Sequence, residues 1–140
     1  MNQSGKILGI DYGEKRCGLA LTDSAQIVAA PLKTVETKVI FSELKSLIDR
    51  EKINTIVVGE ARYLNGEQSA TTLLQQQFCD KLQKNFPSVS LHRVDETDTS
   101  KMAQQSLLLS GMKKKERQQK GNLDMVSAAI LLQSYLDRHP

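Results

Sequence analysis

Lys6–Asp23 reads KILGIDYGEKRCGLALTD, and its pattern decides the fold. Ile7, Leu8 and Ile10 make a short apolar run that stops at one carboxylate, Asp11. Such a run, bounded by turn residues, reads as a strand buried on both faces. Gly13 and Gly18 flank the polar stretch Glu14, Lys15 and Arg16. Glycine lets the backbone bend tightly there and lets a ligand come close. From Cys17 to Leu21 the chain returns as a second apolar strand. An acid before a glycine also serves as a plain turn former, so Asp11 has two readings at this point. One is a turn residue; the other is an acid at a site where metal and phosphate meet.

Outward from this hairpin, Ile27–Val35 reads as a third strand, apolar and β-branched. Pro31 cannot donate to a ladder, which places that strand at a sheet edge. Ile40, Leu44, Leu47 and Ile48 recur at helical spacing, and Thr55–Gly59 is a short apolar run of the buried parallel kind. Asn65-Gly66 signals a turn. Leu74, Phe78, Leu82 and Phe86 then step by four, a helix that Pro87 terminates. Val89–Val94 is the fifth strand. Thr99 or Ser100 caps a helix through Leu109 that Gly111 closes, and Asn122 caps a last helix carrying Val126, Ala129, Ile130, Gln133 and Leu136. The expected fold is α/β. It has a mixed five-stranded sheet, three antiparallel strands followed by parallel crossovers, with helices on both faces. The 140 residues suffice for one domain, 1–140, with its own core.

The net charge of +3 does not by itself demand a nucleic-acid partner, but its distribution is uneven. Lys113, Lys114, Lys115, Arg117 and Lys120 face one acid, Glu116, and outweigh the rest of the chain. The run reads either as a solvated loop or as a phosphate-attracting one. Few aromatics and no Trp argue against base-stacking recognition of single strands. Cys17 and Cys79 form no ligand pair with His92 or His139, and Cys17 alternates with Leu19 and Leu21 as a small core residue. Neither a signal peptide nor a membrane span is visible, so no membrane partner is expected and a reduced, cytoplasmic compartment fits.

Three acids fall where elements end. Asp11 closes the first strand, Glu96 closes the fifth, and Asp124 lies in the first turn of the last helix. Ligands of open α/β sheets gather beyond the carboxyl ends of parallel strands. Ala128, Leu131 and Tyr135 share a face with Asp124, which aims that acid at the same rim. Three convergent carboxylates repel unless a cation holds them, and Mg²⁺ or Mn²⁺ is the hard ion that prefers such oxygens. Taken singly, Glu96 also reads as a solvated strand end and Asp124 as a charge favoured by the helix dipole. Lys15 and Arg16 read as phosphate ligands or as a solvated hairpin tip.

GIDYGEKRCGLALTD, followed by Ile56-Val57-Val58-Gly59, Asn65-Gly66, Val94-Asp95-Glu96 with Thr99, Gly111 and Asp124-x-x-x-Ala128-Ala129-Ile130-Leu131-Leu132, resembles the YqgF/RuvX family. These are Holliday-junction-resolvase-like proteins with the RNase H-like fold, and the likeness spans nearly the whole chain. It implies a metal-dependent endonuclease that processes precursor 16S ribosomal RNA, with Holliday-junction DNA as the competing substrate. Asp11, Glu96 and Asp124 would be its metal-binding acids, with Asp95 a substitute for Glu96. Lys15, Arg16, Lys113, Lys114, Lys115 and Arg117 would bind substrate. The partners expected are structured RNA or branched DNA and ribosomal precursor particles, for a monomer or weak homodimer. Thr97 and Asp98 stand where the family commonly has Arg and an apolar residue, and Glu60-Ala61 replaces its usual Leu-Pro. Losing that Arg removes a phosphate clamp. A non-catalytic nucleic-acid- or ribosome-binding factor on a nuclease scaffold is therefore the alternative, and an actin-like ATP-binding domain a remote one.

Overall fold

In the computed structural model, residues 5–60, 70–95 and 120–138 are described. Five strands, β1 (Lys6–Asp11), β2 (Arg16–Thr22), β3 (Ala29–Glu36), β4 (Ile53–Glu60) and β5 (Ser90–Asp95), form one sheet in the order β3-β2-β1-β4-β5. β1 pairs antiparallel with β2 and parallel with β4. β2–β3 is antiparallel and β4–β5 parallel, so the sheet is mixed as its sequence predicts. Pro31 lies on β3, an edge strand of this sheet, where its missing N–H costs no ladder bond on the open side.

Alternation along β1 divides the core in two. Leu8 and Ile10 join Cys17, Leu19, Ile56 and Val58 under helices α1 (Ile40–Glu51) and α2 (Ala70–Asn85), which contribute Ile40, Leu44, Leu47, Phe78 and Leu82. Ile7, Ala20, Val57 and Val94 face the other way, under α3 (Lys120–Arg138), against Ala128, Leu131, Leu132 and Leu136. Gly9 shares that second face, where a Cβ would meet the Leu132 Cβ at 2.9 Å. The helix therefore lies close on the sheet. Burying both faces of β1 removes its apolar surface from water entirely, at about 25 cal/mol per Å².

Several boundaries differ from the sequence reading by a residue or more, β5 for instance running Ser90–Asp95. β3 begins at Ala29, leaving Ile27 and Val28 outside it and 65% and 58% exposed. The Asp23 carboxylate accepts their backbone N–H groups at 2.9 and 3.0 Å, a local side-chain bond that competes with the ladder. α3 begins at Lys120, so Asn122 lies inside the helix and does not cap it. A cap residue contributes only about 1 kcal/mol, less than the packing that seats this helix. The Asn65-Gly66 turn and the helix expected from Thr99 to Leu109 lie outside the described residues.

Candidate active site at the sheet rim

Because β1, β4 and β5 run parallel, their carboxyl ends share one rim of the sheet. Ile10 stands opposite Val58, Asp95 opposite Glu60, and Asp11 closes β1 between them and the hairpin. By alternation Asp11 faces the α3 side, like Ile7 and Gly9. Across the β1–β2 ladder its partner is Gly18.

Gly18 settles where α3 sits. Its sequence role as a turn glycine is corrected: it lies in the middle of β2, fully paired and buried, between Asp11 and Thr34. What comes close to it is the backbone of Asp124. A Cβ at position 18 would fall on the Asp124 carbonyl group and lie 2.8 Å from the Met125 amide nitrogen. The first-turn placement of Asp124 is corrected as well, since it is the fifth residue of a helix that starts at Lys120. Dipole stabilisation fades within the first turn, which removes the helix-dipole reading of this acid. Asp124 and Asp11 instead share Gly18 as a neighbour, the helix backbone of the first lying over it and the second paired beside it in the ladder.

Arg16 opens β2 and reaches Asp124. Its Nε donates to Asp124 Oδ2 at 3.1 Å, with the two side chains 39% and 30% exposed. Sequence spacing does not reveal this pair, whose partners are 108 positions apart. The Lys15 side chain is exposed at the hairpin tip. Sequence reasoning also missed Thr37, the residue that fixes the tip. Its hydroxyl donates to the Gly13 carbonyl at 2.7 Å, and its N–H donates to the Lys15 carbonyl at 2.9 Å. Tyr12 stacks on Phe78 of α2 at 4.6 Å between ring centroids, pinning the other side of the turn. Only the fold brings this hydroxyl to the hairpin.

Burial pushes the Cys17 thiol above its ordinary range, and the Asp11 and Asp124 carboxylates push it further. The thiol thus stays protonated, and the donors gathered at the rim are carboxylate oxygens, the set a hard divalent ion prefers. Asp11 and Asp124 both have their backbones beside Gly18; Glu96, like Lys113, Lys114, Lys115 and Arg117, lies outside the described residues. Among the described residues no group of three His, Cys, Asp or Glu side chains converges. His92 packs its ring against Tyr135 at 5.2 Å, on the α3 face well back from the hairpin.

A family model described as "RuvX: Holliday junction resolvase" matches residues 5–138. A Flavobacterium psychrophilum protein named "Putative pre-16S rRNA nuclease" is 44% identical over 133 residues, 95% of this chain and 97% of its own. Among solved structures, T. thermophilus RuvC in complex with Holliday junction substrate superposes with a TM-score of 0.62 at 15% identity, covering 96% of this chain and 95% of that one. The yeast mitochondrial Holliday junction resolvase Ydc2 gives 0.55 at 10% identity, covering 99% and 83%. At these identities the two structures establish the shared fold, an α/β architecture of the RNase H-like nucleases.

Proposed function

The chain belongs to the RuvX family, a family of nucleases hydrolysing nucleic-acid phosphodiester bonds, and from that premise we propose that it is a divalent-metal-dependent endonuclease whose substrate is precursor 16S ribosomal RNA. Holliday-junction DNA is the competing substrate. One observation supports the assignment to this rim: the Asp124 backbone packs on the side-chain-free surface of Gly18, the ladder partner of Asp11.

Asp11 and Asp124 would hold the ion, with Glu96, the residue after β5, as third ligand. Mg²⁺ or Mn²⁺ bound there would supply the charge that activates a water and stabilises the leaving oxygen. The protein's own part is placement. Thr37 and Tyr12 lock the hairpin so that Asp11 stays at the rim. Lys15 and Arg16 lie beside it to take phosphate oxygens, and the run of Lys113, Lys114, Lys115 and Arg117 precedes α3 and draws the nucleic-acid backbone toward it. The whole chain, 1–140, acts as one domain in the cytoplasm on ribosomal precursor particles, as a monomer or weak homodimer. No helix among the described residues is long and apolar enough to cross a membrane.

The test is a Mn²⁺ cleavage assay of precursor 16S rRNA and a four-way DNA junction side by side, with Asp11→Asn as control. Cleavage of the RNA that falls at least about a hundredfold in Asp11→Asn is expected, since even residues that only orient metal ligands cost about 10–100-fold. Undiminished cleavage by the variant refutes the mechanism; preferential cutting of the junction reassigns the substrate.

A further inference from the structure

We propose that Arg16 is a latch on the metal site: it holds Asp124 when no cation is bound, and transfers to a substrate phosphate when one is. The inference rests on the metal-nuclease reading above and concerns how that site loads. Arg16 Nε donates at 3.1 Å to Oδ2 of Asp124, one of the three acids assigned to the ion. The contact is a single N–H···O bond, and with 39% of the arginine side chain exposed the guanidinium has room to leave. A divalent ion on a carboxylate sits about 2.0–2.6 Å from its oxygens. A guanidinium held on that same carboxylate would then lie within a few ångströms of two further positive charges. Repulsion at such a distance is strong in a partly desolvated site. Cation and guanidinium therefore compete for Asp124.

Both ends of the exchange are satisfied. Without metal, Arg16 neutralises Asp124, whose backbone packs on Gly18, the ladder partner of Asp11. With metal, the released guanidinium is at the rim just when a phosphate arrives, and Arg prefers that planar oxygen geometry. Among the described residues Arg16 is the cation paired with Asp124.

The sign of one measurement separates this role from an ordinary supporting contact. Mn²⁺ binding to the full chain is titrated by electron paramagnetic resonance for wild type, Arg16→Gln, Arg16→Lys and Asp11→Asn. A latch predicts that Arg16→Gln binds Mn²⁺ about two- to fivefold more tightly, the factor that a partly exposed ion pair is worth. The same variant binds a phosphodiester substrate about tenfold less tightly, for loss of a charged hydrogen bond. Arg16→Lys, which keeps the charge, falls between the two. If Arg16 instead orients Asp124 for the ion, Arg16→Gln binds Mn²⁺ more weakly, and that result or an unchanged affinity overturns the latch. Wild-type protein whose Mn²⁺ binding is absent, or is untouched by Asp11→Asn, overturns the metal site itself. Unchanged melting temperatures exclude a folding defect as the source of any difference.

Discussion

At the residue scale, Cys17 reports on the charge of the rim without taking part in it. It sits fully buried between the hairpin and Thr37, whose hydroxyl lies 3.4 Å from its sulfur. Burial raises its pKa, the contacts to Thr37 and Gly13 pull the other way, and Asp11 and Asp124 add to the rise. The folded thiol therefore keeps its proton where the unfolded one, ionising near about 8.5, has lost it. The folded state then binds more protons, so the stability this group contributes is full below that pH and is lost as pH rises toward the folded value. In chelator, thermal melts at increasing alkaline pH should fall less steeply for Cys17→Ala than for wild type. Parallel slopes would mean that the thiol carries none of the alkaline loss. The exposed carboxylate of Asp23 has the opposite perturbation, held low by the Val28 and Ile27 N–H groups.

At the scale of elements, the seat of α3 on β2 is the joint on which the site depends. Substituting Gly18→Ala drives a methyl group into the backbone of Asp124 and Met125, which cannot step aside as a side chain does. Overpacking of this kind costs about 2–3 kcal/mol. The expected outcome is a melting temperature about 10 °C lower, together with loss of Mn²⁺ binding as Asp124 is lifted off the rim. Gly9→Ala, whose added Cβ presses chiefly on the Leu132 side chain, should cost less. Equal stability of Gly18→Ala and wild type would show that the helix is not held at this contact. Such a joint is invisible in sequence because a mid-strand glycine and a turn glycine are the same residue.

At the scale of the molecule, a net charge of only +3 with its cations concentrated at Lys113–Lys120 makes binding local rather than diffuse. Each neutralised phosphate releases counterions, so affinity falls with salt in proportion to the contacts made. Replacing Lys113, Lys114 and Lys115 by Gln should flatten the slope of log affinity against log salt by about 2 to 3. Fluorescence anisotropy with labelled RNA at several salt concentrations reads this directly, and an unaltered slope removes those lysines from the interface. Cleavage per bound complex should change little, since the acids at the rim are untouched.

The five strands, the mixed pairing and the helices on both faces were legible in the sequence, whereas the order of the strands in the sheet was not. They follow from local rules: apolar runs at period two or 3.6, a proline that cannot donate, and loop lengths that permit hairpins or require crossovers. Asp11 was legible for the same reason, because a lone acid ending a buried strand must emerge at a sheet rim. That Asp124 lies on the sheet-facing side of its helix was legible, through the face that it shares with Ala128 and Leu131. That Arg16 would grip Asp124, that Gly18 would carry the helix, and that Thr37 would tie down the hairpin were decided only by the tertiary structure. Those contacts join residues about 20 to more than 100 positions apart, and spacing rules reach no further than one element.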